Sequence, residues 1–293
     1  MKHTPYDGSS KPFTIGLAQL DPDRWIEPDH LLQHYLDEKK RLLKQDRNVV
    51  FAAAHDSIDA QRELLALIVD HLPARYPEIY RRDGDTMIAG SGERVALDGD
   101  VPLVVAGSLV QDDLAIMMKT GDGWRLEAGY VAFPSSWSLA EKYGRTMNEI
   151  HGPVPGFEEG TRNADLIARM FDNLPPGRFV ERFNWAVNID GGLHLPKSKS
   201  EGVAAEAIAL TEERTFIRIE RQTLRKLPET GAIVFTIRIY SDPLSILRSR
   251  PDAATLAHSF VEQLRALTLP QAAYKGLVSK RDSLISSLIS IAG

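Results

Sequence analysis

Two long strand-like runs joined by a short turn dominate the second half of the chain. Residues 214–227, RTFIRIERQTLRKL, and residues 231–242, GAIVFTIRIYSD, are rich in β-branched and aromatic side chains. The connection between them, LPETG, has the composition of a turn. So short a connection joins antiparallel strands, because parallel strands need a crossover of about a dozen residues or more. The chain is therefore predicted to contain an antiparallel sheet.

Other strands and helices are predicted on both sides of this hairpin. Strands are predicted in VPLVVAGSLV (101–110), DLAIMMKT (113–120), GWRLEAGYVAF (123–133) and RFVERFNWAVNID (178–190). Helices are predicted at 29–45, at 56–73 with Pro73 as its end, at 138–150, at 163–175, at 252–268 and at 275–291. Strands in hairpins with helices gathered around them predict an α+β fold, not a regular βαβ alternation. We expect one domain over residues 1–293, with a helical region over about 1–80 and closing helices over about 252–293.

Cysteine is absent from the 293 residues, which limits the chemistry available to the chain. A cysteine nucleophile, an iron–sulfur cluster on thiolates, a cysteine zinc site and a thiolate-ligated haem are all excluded. Histidine is then the leading candidate ligand for a transition metal or a haem. There are eight: His3, His30, His34, His55, His71, His151, His194 and His258.

Charge and hydropathy argue against two classes of partner. The net charge of −5 gives no basic footprint for a nucleic acid or an anionic membrane. The longest apolar run, residues 101–110, is far too short to span a bilayer. The first residues, MKHTPYDGSSKPFTIG, lack the apolar region of a secretory signal, so we expect the cytoplasm as the location.

His151 stands in a stiff loop, in the segment EKYGRTMNEIHGPVPGF (141–157). Pro153 and Pro155 fix their own φ angles and bias the residues before them toward extended conformations. A rigid loop that presents one imidazole suits an axial metal ligand. It equally suits a buried histidine that only donates to a carbonyl group, and the pattern alone leaves both open.

The other histidines have simpler interpretations. His30 and His34 are four residues apart on a charge-rich helix, which is typical of solvated surface side chains. His71 is near a helix end beside Pro73, where an imidazolium favours the carbonyl pole of the helix.

Two strand segments carry unusual polar groups. In RFNWAV, Arg182 and Asn184 alternate with Phe183 and Trp185. In IRIERQTLRKLP, basic side chains crowd one strand and its end: Arg218, Arg221, Arg225 and Lys226. This pattern is typical of a solvated strand face with Glu220 in partial compensation. The alternative is an anion-binding site, since arginine binds carboxylates bidentately.

These segments, in this order, resemble the haem-dependent oxidative N-demethylase alpha-subunit family, long known only as a domain of unknown function. The resemblance rests on WSLAEKYGRTMNEIHGPVPGF, RFNWAV and ERQTLRKLPETGAIVFTIRIY. It implies a PAS-like antiparallel sheet with flanking helices that holds haem b through a single histidine. Carried onto this sequence, His151 is the expected iron ligand, Arg221 and Arg225 are expected at the propionates, and Asn184 and Trp185 are expected near the haem pocket.

The same resemblance implies an oxidoreductase of the monooxygenase type. Its expected reaction is the oxidative N-demethylation of a small methylated amine such as dimethylamine, with O2 as the oxidant and formaldehyde as a product. Electrons are expected from NADPH through flavin and iron–sulfur groups on partner subunits, which agrees with the absence of cysteine here. The alternatives are a PAS-like haem sensor or electron-transfer module without turnover, and a haem-free structural subunit.

Overall fold

A seven-stranded antiparallel sheet forms the centre of the molecule in a computed structural model that describes residues 1–90, 92–197 and 211–293. The strands are β1 (Ala18–Gln19), β2 (Phe51–Ala53), β3 (Tyr80–Asp83), β4 (Thr86–Ala89), β5 (Glu93–Ala96), β6 (Asp113–Thr120), β7 (Gly123–Tyr130), β8 (Phe179–Asn188), β9 (Phe216–Lys226) and β10 (Ile233–Pro243). The order in the large sheet is β1-β8-β9-β10-β6-β7-β2, and β3, β4 and β5 form a separate small sheet.

Ten α-helical segments flank these strands in the described part of the chain. They are α1 (Leu32–Gln45), α2 (Arg47–Val50), α3 (Ile58–Arg75), α4 (Pro102–Gly107), α5 (Leu139–Lys142), α6 (Met147–His151), α7 (Arg162–Asn173), α8 (Ala253–Ala266), α9 (Leu269–Tyr274) and α10 (Arg281–Ala292). The α+β class and the antiparallel sheet are thus confirmed. Within the described residues, no helix is both long enough and apolar enough to cross a membrane.

The predicted hairpin of β9 and β10 is confirmed. The two strands pair antiparallel along their whole length, from Phe216 opposite Pro243 to Lys226 opposite Ile233. Glu63 of α3 stabilises the turn, because its carboxylate accepts hydrogen bonds from the backbone N–H groups of Glu229 (2.7 Å) and Thr230 (2.9 Å).

The large sheet has two faces with different surroundings. Side chains alternate along each strand, so neighbours in sequence lie on opposite faces. One face, here called the packed face, lies against α1, α3 and α4 at one end and against α8 and α10 at the other. The opposite face, here called the cavity face, is covered by α5, α6 and α7.

Two local predictions were wrong, and one feature was missed. Residues 102–107 form α4 instead of a strand. A continuous apolar run does not distinguish a buried strand from a buried helix, and Pro102 in the first turn favours the helix. Pro73 lies inside α3, which ends at Arg75, because a proline so near the end removes little hydrogen bonding. The small sheet of β3, β4 and β5 was not predicted, since its strands are only four residues long.

His71 also differs from its prediction. It lies within α3, with its ring edge-on to Trp25 at a centroid distance of 5.4 Å. Burial, assisted by Arg75 and Arg225, lowers the pKa of His71 to about 4, so the ring is neutral at pH 7. It therefore does not act as an imidazolium at the helix end.

The predicted helix at 138–150 is divided into α5 and α6. Each helix begins with a capping box, Ser138 with Glu141 in α5 and Thr146 with Glu149 in α6. Gly144 stands between them with a φ of +72°, a conformation that favours glycine. The break turns the chain so that α6 ends at His151 above the cavity face.

Candidate functional site

A cavity of about 630 Å³ lies between the cavity face and the helices above it. Its walls are mainly apolar and aromatic and include Met117, Leu224 and Phe235 from the sheet and Ile150, Ile167 and Phe171 from the helices. This volume and this lining are typical of a site for a small molecule or a cofactor. The few polar groups that enter the cavity therefore decide what it binds.

His151 enters the cavity from the end of α6. Its Nδ1 lies 3.1 Å from the carbonyl oxygen of Met147, and because a carbonyl only accepts, Nδ1 carries the proton and donates. Nε2 then has a free lone pair and no hydrogen-bond partner among the described residues. A hydrogen bond from the other ring nitrogen to a backbone carbonyl is the usual arrangement of a metal-binding histidine.

The ionisation state of His151 suits the same role. Burial is the largest effect and lowers its pKa to about 4, and the positive charges of Arg182 and Lys142 act in the same direction. The ring is therefore neutral at pH 7, which is the form that binds a metal ion.

The loop after His151 fixes its position. The N–H of Val154 donates to the carbonyl oxygen of His151 at 2.8 Å, and the N–H of Phe157 donates to that of Val154 at 3.0 Å. Pro153 and Val154 line the cavity together with His151. The loop thus fixes the backbone of His151, and the bond from Nδ1 to Met147 orients its ring.

The sheet contributes four polar side chains to the opposite wall of the cavity. Arg182 and Asn184 of β8 lie opposite Gln222 and Glu220 of β9, and all four side chains line the cavity. Asn184 and Gln222 donate to the same carboxylate oxygen of Glu220, Oε2, at 3.2 Å and 2.9 Å. We call these four residues the sheet polar group.

Arg182 is the unusual member of the sheet polar group. Its Nε has no contact with solvent and no hydrogen-bond partner, and the guanidinium forms no ion pair with any described residue. Burial lowers the pKa of Arg182, while the charge of Glu220 raises it. A half-buried guanidinium with an unbonded Nε costs free energy, which makes Arg182 a candidate for binding an anion.

The structure places Asn184 and Trp185 at the cavity in different ways. The Asn184 side chain belongs to the sheet polar group. Trp185 borders the cavity, but the residue is only 2% exposed. Its ring packs edge-on against Phe260, and its Nε1 donates to Gln263 at 2.9 Å. The ring thus lies in the core below α8, on the other side of the sheet.

Arg221 and Arg225 lie on the packed face, outside the cavity lining. Arg221 donates to Glu181 at 2.8 Å and to the carbonyl oxygens of Trp25 and Arg24 at 3.1 Å and 2.7 Å. The guanidinium of Arg225 lies over the rings of Trp25 and Phe179, at 4.4 Å and 4.3 Å from their centroids. The structure therefore does not bring either arginine together with His151.

The N-terminal segment closes one side of the cavity, and sequence reasoning missed it. Phe13, Ile15 and Leu17 line the cavity, while Thr14 and Gly16 between them are exposed. This alternation was visible in PFTIGL, but residues 12–17 form no strand that would have drawn attention to it.

Backbone strain also concentrates at the cavity. Among the described residues, the non-glycine residues with φ in the left-handed region are Phe13 (59°) and Ser136 (65°), and both line the cavity. Such conformations cost about 1–3 kcal/mol each and cluster at functional sites. This signal cannot be obtained from the sequence.

The described residues contain no group of three or more histidines and carboxylates that could hold a metal ion. His151 by itself can offer one nitrogen ligand.

Comparison with known protein families gives a match over most of the chain. A family profile described as haem-dependent oxidative N-demethylase, alpha subunit-like, matches residues 16–285. The match includes His151, the whole sheet polar group and all strands of the large sheet.

Proposed function

This chain belongs to the haem-dependent oxidative N-demethylase alpha subunit-like family, and we propose on that premise that its cavity holds haem b for the oxidative N-demethylation of a small methylated amine. The observation that carries the proposal is His151, a neutral imidazole whose Nδ1 is bonded to the backbone and whose Nε2 is free at the cavity. A dimethylamine-like substrate and O2 complete the reaction.

The residues around the cavity fit a haem. The walls are apolar, as a porphyrin requires, and His151 offers the single nitrogen that haem iron needs from the protein. Arg182 offers a positive charge without a partner for an anionic group such as a haem carboxylate. We assign this anion-binding role to Arg182 instead of Arg221 and Arg225, whose partners are supplied by the chain itself.

We also propose that the sheet is PAS-like. The strands β6 and β7 form a first hairpin, α5, α6 and α7 follow, and β8, β9 and β10 return so that β10 pairs with β6. The cavity lies between this sheet and the helices that follow its first hairpin. The position of the cavity supports the description, because PAS-type domains hold their ligands between the sheet and these crossing helices.

A haem bound in the cavity would supply the activation of O2 and the oxidation of the N-methyl carbon. One oxygen atom leaves in formaldehyde and the other in water, and the balance requires two electrons and two protons besides the amine. The chain's own residues have three tasks: His151 holds the iron, the apolar walls exclude bulk water, and the sheet polar group faces the substrate.

Partner subunits are proposed as the source of the electrons. The description alpha subunit-like indicates a chain that works with others, and the sequence has no cysteine to hold an iron–sulfur cluster on thiolates. We propose that NADPH oxidation, flavin and iron–sulfur groups belong to those subunits.

Absorbance spectroscopy of variants tests the ligand. We expect the wild-type chain, purified after expression with a haem precursor, to show a Soret band that is lost or shifted in His151→Ala. In His151→Gly, added imidazole is expected to restore the wild-type band by taking the place of the side chain. His194→Ala is the matched control, because His194 is also half-buried and bonds a carbonyl through Nδ1, at 2.7 Å, but lies outside the cavity.

Each result has a definite meaning. An unchanged Soret band in His151→Ala would disprove the ligand assignment, and the absence of a band in the wild type after reconstitution would disprove haem binding. Formaldehyde release from dimethylamine, with a chemical reductant in place of the partner subunits, then separates an enzyme from a haem-binding sensor that has no turnover.

A further inference from the structure

We propose that Glu220 is the binding site for the substrate's positive charge: one oxygen of its carboxylate accepts a hydrogen bond from the protonated amine. This inference rests on the proposed function, and it names the residue that selects a cationic substrate. An alkylamine titrates near the lysine side chain, at a pKa of about 10, so a methylated amine enters the cavity as an ammonium ion at pH 7. A carboxylate is the natural partner for such a cation.

The two oxygens of Glu220 are used differently. Oε2 accepts from Nδ2 of Asn184 at 3.2 Å and from Nε2 of Gln222 at 2.9 Å. Oε1 accepts no hydrogen bond from any described residue, although Glu220 lines the cavity. Two amides thus fix the carboxylate through one oxygen, and the other oxygen is available to a ligand.

The orientation of Asn184 is itself determined by a buried lysine. Nζ of Lys275 donates to Oδ1 of Asn184 at 3.3 Å and to the carbonyl oxygen of Trp185 at 2.6 Å. Because an ammonium group only donates, the oxygen of the Asn184 amide must face Lys275 and its NH2 group must face Glu220. The series of hydrogen bonds from Lys275 through Asn184 to Glu220 therefore holds the carboxylate in place before any substrate arrives.

A simpler explanation is that Glu220 serves only to neutralise Arg182. The geometry argues against it, because no nitrogen of Arg182 lies within 4.0 Å of a Glu220 oxygen although the two residues are near enough to influence each other electrostatically. A carboxylate that served only to neutralise the guanidinium would be expected to accept a hydrogen bond from it. Here both remain available, one for an anion and one for a cation.

The ring of Tyr274 on the same side of the cavity supports a cationic ligand, while its neighbour Phe13 already has Nζ of Lys275 at 5.2 Å from its ring centroid. Tyr274 and Phe13 line the cavity with ring centroids 5.8 Å apart, and Tyr274 is close enough to Glu220 for the carboxylate to raise its pKa, in addition to the larger effect of burial. The faces of aromatic rings attract methylated ammonium ions. A carboxylate beside such rings favours a cation that has both N–H and N-methyl groups.

Calorimetric titration with dimethylammonium chloride tests the inference. Glu220→Gln keeps the shape, and its amide oxygen can replace Oε2 as the acceptor for Asn184 and Gln222, so its NH2 group takes the place of Oε1. We expect this change to weaken dimethylammonium binding about tenfold or more, since it replaces an acceptor of the cation by a donor. Tetramethylammonium, which has no N–H, is expected to bind the wild type more weakly than dimethylammonium, and uncharged isopropanol is expected not to bind.

Glu141→Gln is the matched control. Glu141 lines the same cavity and loses the same charge, but its carboxylate already accepts from the N–H of Ser138 at 3.0 Å in a capping box that glutamine preserves. We expect its dimethylammonium affinity to remain within about twofold of the wild type.

The outcomes separate this inference from the proposed function, because the titration is run on both haem-free and haem-loaded protein. Equal affinities in wild type and Glu220→Gln, or equal losses in Glu220→Gln and Glu141→Gln, would overturn the role of Glu220 even if the Soret band is present. A missing Soret band together with a specific loss in Glu220→Gln would overturn the haem proposal and keep the cation site.

Discussion

Arg221 on the packed face and Arg182 on the cavity face of the large sheet have opposite surroundings. On the packed face, the guanidinium of Arg221 is 0% exposed and is bonded to Glu181 and to two backbone carbonyls. On the cavity face, Arg182 has no ion pair with a described residue, and Glu220 keeps one oxygen free. The chain itself thus satisfies Arg221, whereas Arg182 and Glu220 keep polar atoms to which no described residue bonds.

This difference separates stability from function within a single sheet. Removal of a saturated buried group leaves its partners unpaired and costs folding free energy. Removal of a group that has no partner in the chain leaves nothing unpaired, so the folding free energy changes little, whereas the ligand loses a contact. Variants at equivalent positions on the two faces are expected to show this contrast.

The largest contrast is expected between Arg221→Met and Arg182→Met. Without Arg221, Glu181 and the nearby Glu27 lose a buried positive charge, and we expect the free energy of unfolding to fall by about 3–5 kcal/mol. Arg182→Met removes a deep charge that has no partner, so we expect a change of about 1 kcal/mol or less, in either direction. Urea unfolding of the haem-free chain, followed by circular dichroism, measures both.

Haem affinity is expected to rank these two variants in the opposite order. Arg182→Met should bind haem more weakly than the wild type, and folded Arg221→Met should bind it normally. Equal losses of stability in the two variants would show that Arg182 has a structural partner, and the contrast between the faces would then be wrong.

A smaller effect is expected for Arg225→Leu. This guanidinium lies over the rings of Trp25 and Phe179, and its Nε has no hydrogen-bond partner, so the contact with these rings is its main interaction. We expect a loss of about 1 kcal/mol in the free energy of unfolding. Lys226→Leu removes the same charge at the next residue, which is only half-buried, and is expected to change stability by less than about 0.5 kcal/mol. A larger loss in Lys226→Leu than in Arg225→Leu would contradict this assignment.

A further effect is expected only below neutral pH, and it comes from His71 on the packed side. Its pKa is about 4 in the folded chain and 6.5 as the ordinary value, because burial disfavours the charged ring. As pH falls below 6.5 the unfolded chain takes up a proton that the folded chain does not, so folding stability decreases toward pH 4. We expect wild type to lose stability relative to His71→Phe in this window, and the difference to be constant above it.

The difference between the two proteins is the quantity to measure. Asp113 has a pKa raised to about 6 by burial and acts in the opposite direction, since the folded chain binds its proton more tightly. This contribution is common to wild type and His71→Phe and cancels in the difference. Parallel stability curves from pH 4 to 7 would show that His71 is not buried as a neutral ring.

Much of the fold was predictable because it depends on local pattern. The alternation of β-branched residues around LPETG predicted the β9–β10 hairpin, and the helical periods predicted α1, α7 and α8. Residues 101–110 were misassigned because an apolar run has no period, and only the packing of α4 against α3 and β7 makes it a helix.

The candidate site was predictable only in part, and the reason is the period of a strand. The sequence by itself determined that Glu220 and Gln222 share one face of β9 and that Arg221 and Arg225 share the other, and it determined the stiff loop after His151. It did not determine which face borders the cavity, because both faces carry polar groups of similar kind. That choice was made by the tertiary structure, in which α1 and α3 cover one face while α5, α6 and α7 hold the other face open around a cavity.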